Sequence, residues 1–138
     1  MSGSWRHDKC VREGMSVESE ELKKRARTFA VAVLRLVDKL PQTIGAQVVG
    51  RQLARSATSV SSNYVAACSA RSRAEFIAKL CIVNEESDES VNWLEIIALV
   101  PYLPGSEVDG HKREAIELRA IFGRSLGTAR RHAEGDSR

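Results

Sequence analysis

No stretch of this chain is both long and apolar enough to span a bilayer, and its opening residues, MSGSWRHDKCVREG, contain no apolar run that could serve as a signal peptide. The expectation is a cytoplasmic protein that works away from membranes. Helix breakers are scarce: three prolines and nine glycines in 138 residues. Aromatics make up only 5% of a chain that is 43% hydrophobic, so the core must be built from Leu, Ile, Val and Ala, and an all-β fold is excluded on composition. Cys10, Cys68 and Cys81 are odd in number and far apart, with no Cys-x-x-Cys pair and no neighbouring His. That pattern excludes a disulfide framework and a zinc site and leaves free thiols. No Glu-x-x-His pair is present to build a di-metal bundle site, and His7, His111 and His132 fall near expected helix ends. A phosphate-cradling glycine loop and a nucleophile motif are also missing. The expectation is therefore no catalytic residue, no metal, no cofactor and no enzymatic activity.

What the chain has instead is segregated charge. The net charge of +3 is modest, so distribution carries more information than the sum. Residues 44–74 contain no carboxylate, only Arg51, Arg55, Arg71 and Arg73, whereas residues 75–100 contain six acids (Glu75, Glu85, Glu86, Asp88, Glu89, Glu95) against Lys79. A basic segment is followed by an acidic one of similar length.

Apolar residues recur at helical steps in four places. Leu22, Ala26, Phe29, Val33, Leu36 and Leu40 mark a first helix, with Ser19 as its expected cap, Glu20 and Glu21 at its positive end and Pro41 as its stop. Ile44, Val48 or Val49, Leu53, Ala57, Val60, Tyr64 and Ala67 mark a second, reaching about residue 69. Ser72-Arg73-Ala74-Glu75 has the form of a capping box, opening a third helix through Phe76, Leu80, Val83, Ser87, Val91, Leu94 and Ile97, which Pro101 and Pro104-Gly105 end. A fourth, from Ser106 or Asp109 to Arg131, carries Leu118, Phe122, Leu126 and Ala129, with Gly123 and Gly127 weakening its last turns. Short connections between helices of this length make neighbours antiparallel, so the sequence predicts an all-α, up-down-up-down four-helix bundle over residues 19–131. Residues 1–18 and 132–138 are expected to be flexible extensions, with Met15 an alternative start.

Two constellations bear on function. In a hairpin closed near residue 71, Ser56 and Ser59 come level with Ser87 and Asn84, either as a buried, self-satisfying polar layer or, taking Gln52, Ser56, Ser59 and Asn63 together, as a small-residue seam for a second subunit. Arg51 and Arg55 share one helix face, Arg71 and Arg73 stand at the hairpin tip, and Lys23, Lys24, Arg25 and Arg27 cluster on the first helix. These eight are the candidate phosphate contacts. The competing expectation is that the acids of the third helix neutralise them.

Arg55-Ser56-Ala57-Thr58-Ser59-Val60-Ser61-Ser62-Asn63-Tyr64 resembles the R-x-A-x-S-I-x-x-N-I element of four-helix proteins encoded in intervening sequences of bacterial 23S ribosomal RNA genes, a family that includes the accessory variability protein of diversity-generating retroelements. Glu75-Phe76, Lys79-Leu80 and the run from Asn84 through Glu85, Glu86, Ser87, Asp88 and Glu89 to Trp93-Leu94-Glu95 are similar to that family's E-F-x-x-K-L and E-A-x-E-S-x-Y-W-L-E segments. Ala66-Ala67 departs from the usual Glu-Gly, so the contact made by that Glu in relatives is not made here. The resemblance implies a protomer that assembles into a homopentamer, basic surfaces that bind RNA or DNA, and, in retroelement members, a reverse transcriptase as partner. Two readings stay open: an oligomeric module that holds a nucleic-acid backbone or nucleoprotein, or a scaffold joined through its basic second and acidic third helices.

Overall fold

The computed structural model describes residues 17–136. The expected N-terminal extension and the alternative start at Met15 fall largely outside that range. Four helices follow one another: α1 (Glu18–Val37), α2 (Ile44–Cys68), α3 (Arg73–Leu99) and α4 (Gly105–Asp136). Sequence neighbours pack together, most extensively α2 with α3, then α3 with α4 and α1 with α2, while α1 and α4 barely touch. The result is the antiparallel four-helix bundle that the spacing predicts.

Each boundary has a local cause. Thr43 caps α2 by accepting the Ala46 amide at 3.3 Å, and Ser72 caps α3 by accepting the Glu75 amide at 3.1 Å. The Glu75 carboxylate reaches back one residue further than a standard capping box, accepting from the Arg71 amide at 2.9 Å. Ser19 is not the cap of α1. The chain is already helical at Val17, whose carbonyl accepts the Glu21 amide at 3.0 Å, and Ser19 is turned inward and buried. α4 starts directly after Pro104 and continues through Gly123 and Gly127 to Asp136, past the expected end at Arg131. Tertiary packing of Phe122, Leu126 and Ala129 outweighs the weak helical preference of those two glycines.

Buried positions on α3 read Phe76, Leu80, Val83, Ser87, Ser90, Leu94 and Ile97, alternating steps of four and three. That heptad-like repeat is the pattern of left-handed antiparallel packing. Ser90, not Val91, takes the inward place, and Ile44 of the expected α2 stripe is 86% exposed. The reason for the first exchange lies across the interface. Ser56 and Ser90 are both fully buried and meet through their hydroxyls at 2.9 Å, while Ser56 also donates to the Leu53 carbonyl and Ser90 to that of Glu86. Ser87 sits one turn away and is satisfied by the Val83 carbonyl at 2.7 Å. The polar layer therefore exists, with Ser90 rather than Ser87 opposite Ser56. Small side chains there let the α2 and α3 backbones approach closely.

Candidate nucleic-acid interface

Ion pairing sorts the cations of the bundle into two groups. On the α2–α3 side, Arg55 is held by both Glu86, at 3.0 Å, and Glu89. Hydrogen bonds from Glu89 and then Glu86 raise the Arg55 pKa above its usual value. Glu86 itself titrates above the usual carboxylate range, because partial burial outweighs the lowering effect of Arg55. Between α3 and α4, Arg119 pairs with Asp88 at 2.9 Å and Lys112 with Glu95. The acidic third helix thus pairs with Arg55, Lys112 and Arg119; the competing expectation holds for Arg55 among the eight candidates but not for Arg51 or Arg71, and Arg55 is removed from the set of freely available phosphate contacts.

The first-helix cluster divides. Lys23 bridges to Glu20 within its own helix. Arg25 makes a two-pronged contact with Glu114, Nε to Oε2 at 2.9 Å and Nη2 to Oε1 at 2.7 Å, and also reaches Glu117 at 3.0 Å. Hydrogen bonds from Glu114 and then Glu117 raise its pKa well above its usual value. Arg25 is thus the clasp between α1 and α4. Lys24 and Arg27 are exposed and their side chains have no partner among the described residues, and the same holds for Arg51 and Arg71. Arg73 points elsewhere, donating to the His132 carbonyl of α4 at 3.3 Å.

The four residues of the small-residue seam do not act alike. Ser56 is inside the protomer and has no surface to offer a second subunit. Gln52 accepts from Arg55 at 3.4 Å, and Asn63 donates to the carbonyl and hydroxyl of Ser59 at 3.0 and 2.9 Å, all three side chains half-buried.

Below the Arg25 clasp, toward the Val17 end, α1 and α4 stand apart and leave a cleft of about 1020 Å³. Tyr64 of α2 closes its floor, with its ring against Phe122 at 5.2 Å between centroids. Leu22, Lys24 and Thr28 line it from α1, and Ile121, Arg124 and Ser125 from α4. Arg124, exposed and without a partner among the described residues, is one of the cations that make the fourth helix basic but was not among the eight candidate phosphate contacts, and the cleft itself was not expected from sequence. No group of His, Cys, Asp or Glu among the described residues is arranged to hold a metal ion, and Cys68 and Cys81 form no disulfide among the described residues. No helix among the described residues is long and apolar enough to cross a membrane.

Residues 18–124 match the family described as 23S rRNA-intervening sequence protein. The chain belongs to that family. Among solved structures, the chain is similar to a crystallised protein of unknown function from the S23 ribosomal protein family of Bacteroides thetaiotaomicron VPI-5482. The two are 28% identical with a TM-score of 0.71, over 76% of this chain and 97% of that one. A comparison with curated proteins finds no match. The family match ends at residue 124, so the last twelve residues of α4 are outside it although they continue the same helix.

Proposed function

We propose that this 23S rRNA-intervening sequence protein is a non-enzymatic, oligomeric binding module that holds an RNA or DNA backbone on the cations its own acids leave unpaired. The observation that carries this reading is the division just described. Arg55, Lys112 and Arg119 are engaged around α3, while Lys24, Arg27, Arg51, Arg71 and Arg124 stand exposed without carboxylate partners among the described residues. Holding such cations apart from counter-charges within the fold leaves them to bind an external polyanion, whose condensed counterions are released on contact. Backbone contact accounts for the small number of aromatics, and sequence preference is low. The homopentamer and a reverse-transcriptase partner, both implied by family resemblance, belong to this proposal as well.

The test is fluorescence anisotropy of a labelled RNA against salt. Binding should weaken steeply as salt rises, and the Lys24→Glu, Arg27→Glu double variant should flatten the slope of log K against log salt by about two. Binding insensitive to salt would overturn the reading.

A second reading, a scaffold that assembles copies of itself, is favoured by a different observation. Ile44 and Val48 at the start of α2 and Leu99 and Val100 at the end of α3 are exposed at the same end of the bundle, Ile44 at 86% and Leu99 at 74%. Sedimentation of a Leu99→Glu variant beside the anisotropy measurement separates the two: loss of the oligomer with RNA binding retained supports assembly through that end.

A further inference from the structure

We infer that the cleft between α1 and α4 accommodates unpaired bases, so that the polyanion this surface takes is single-stranded RNA or DNA and not a duplex. The inference rests on the backbone-binding reading above and narrows it.

Charge is the first argument. Lys24 and Arg124 line the cleft from opposite helices and are both exposed, so each is available to a phosphate of a strand bound there. Inside, the balance differs. The charge of Arg25 is taken up by Glu114 and Glu117, and Glu18 and Glu21 line the far end. A second phosphate is therefore unwelcome within the cleft, and an uncharged group suits it.

Hydrogen-bonding capacity is the second argument. Of the helical hydroxyls elsewhere in this bundle, Thr58 is satisfied by the Ala54 carbonyl at 2.8 Å, Ser62 by Thr58 at 2.6 Å and Ser87 by Val83 at 2.7 Å, whereas those of Ser61 and Ser106 make no hydrogen bond among the described residues. Thr28 and Ser125, facing the cleft from its two walls, have no hydrogen bond among the described residues. Each can donate to or accept from the edge of a base without discriminating strongly between bases. Leu22 and Ile121 supply apolar wall for the base faces, and Tyr64 supplies the floor.

Size and access are the third. About 1020 Å³ is at the upper end of what encloses a whole small ligand, roughly 300–1,000 Å³, so the cleft has room for more than one base. Tyr64 lines it from α2, between walls on α1 and α4, and bases free of a duplex can turn toward that surface. Paired bases are held inside a duplex and cannot.

The experiment compares a labelled ten-nucleotide oligouridylate with an RNA duplex of equal length, by anisotropy on the full chain at two salt concentrations. The single strand should bind about tenfold tighter than the duplex, the scale of one base contact. Ser125→Leu and Thr28→Leu narrow the cleft with aliphatic groups that cannot stack, and each should erase most of that preference while leaving duplex binding and its salt slope unchanged. Should either variant lose its helical circular dichroism, the Thr28→Ala, Ser125→Ala double variant, which removes only the hydroxyls, is expected to cut the preference about threefold. Equal affinity for the two RNAs, or a preference that survives both leucines, overturns the base-binding inference while leaving backbone binding standing. Failure of both RNAs to bind in a salt-dependent way overturns the two together.

Discussion

The α2–α3 seam and the α1–α4 seam are built from the same kinds of residue and reach opposite results. The first is closed: serines meet at 2.9 Å in its interior, and its outward cation, Arg55, is shared between two glutamates. The second is held by one clasp, Arg25 on Glu114 and Glu117, with an open cleft below it and unpaired cations on either side. The difference shows that a row of arginines in a sequence says little about binding until the facing helix is known. Acids of α3 neutralise Arg55 of α2 and Lys112 and Arg119 of α4, acids of α4 neutralise Arg25 of α1, and only the cations outside these contacts stay available to a polyanion.

Breaking the closed seam should produce the largest effect. Leu53 is fully buried between the helices, and Leu53→Ala is expected to cost about 2–5 kcal/mol of unfolding free energy, read from the urea midpoint. Ile121→Ala, on the wall of the open cleft, should cost well under half of that. Comparable losses would mean the two seams do not differ in packing. The charge contrast comes next. Lys24→Glu with Arg27→Glu should lower RNA affinity at least tenfold, about 1.4 kcal/mol or more, with thermal stability nearly unchanged, whereas Arg55→Ala should leave affinity within about twofold. If Arg55→Ala proved the more damaging, the sorting of cations by ion pairing would be wrong.

The clasp itself is worth less, because Arg25 and its acids are each partly exposed. Arg25→Ala should lower stability by about 0.5–1 kcal/mol, and its signature is faster amide exchange confined to α1 and the first half of α4. The smallest effect is a pH dependence. His111 titrates below its usual value, from burial first and the nearby charge of Lys39 second. The unfolded chain therefore binds the extra proton before the folded one. Stability from this group is complete above about pH 6.5 and should decline as pH falls toward the lowered folded value. His111→Gln should flatten that part of the stability profile, and an unchanged profile would assign the decline to other groups.

Much of the fold was legible in the sequence because it follows from local rules. The apolar spacing, the Ser72 cap and the stops at Pro41 and Pro101 place four helices, and short connections make them antiparallel. What escaped were choices made between helices. Val91 and Ser90 are adjacent, and periodicity alone favours the more apolar one, yet Ser56 on the facing helix selects Ser90. Ser19 has the chemistry of a cap but lies two residues past the cap position, Val17. Among the eight candidate phosphate contacts, spacing placed Arg51 and Arg55 together, while the fold separates them: one is exposed and unpaired, the other is held by two carboxylates. The cleft could not be seen from any single segment, since it depends on how far α1 stands from α4.

Tyr102 lies over Gly45 so closely that a methyl group there would overlap its hydroxyl, and the Tyr102 amide is tied to the Ile97 carbonyl at 3.0 Å. The connection between α3 and α4 is thereby folded down onto α2, with Pro101 and Pro104 stiffening it on both sides. Copies of a helical bundle often exchange arms by straightening such a hinge into one continuous rod. Here straightening would have to unseat the tyrosine and run a helix through two prolines, which disfavours an exchanged fourth helix.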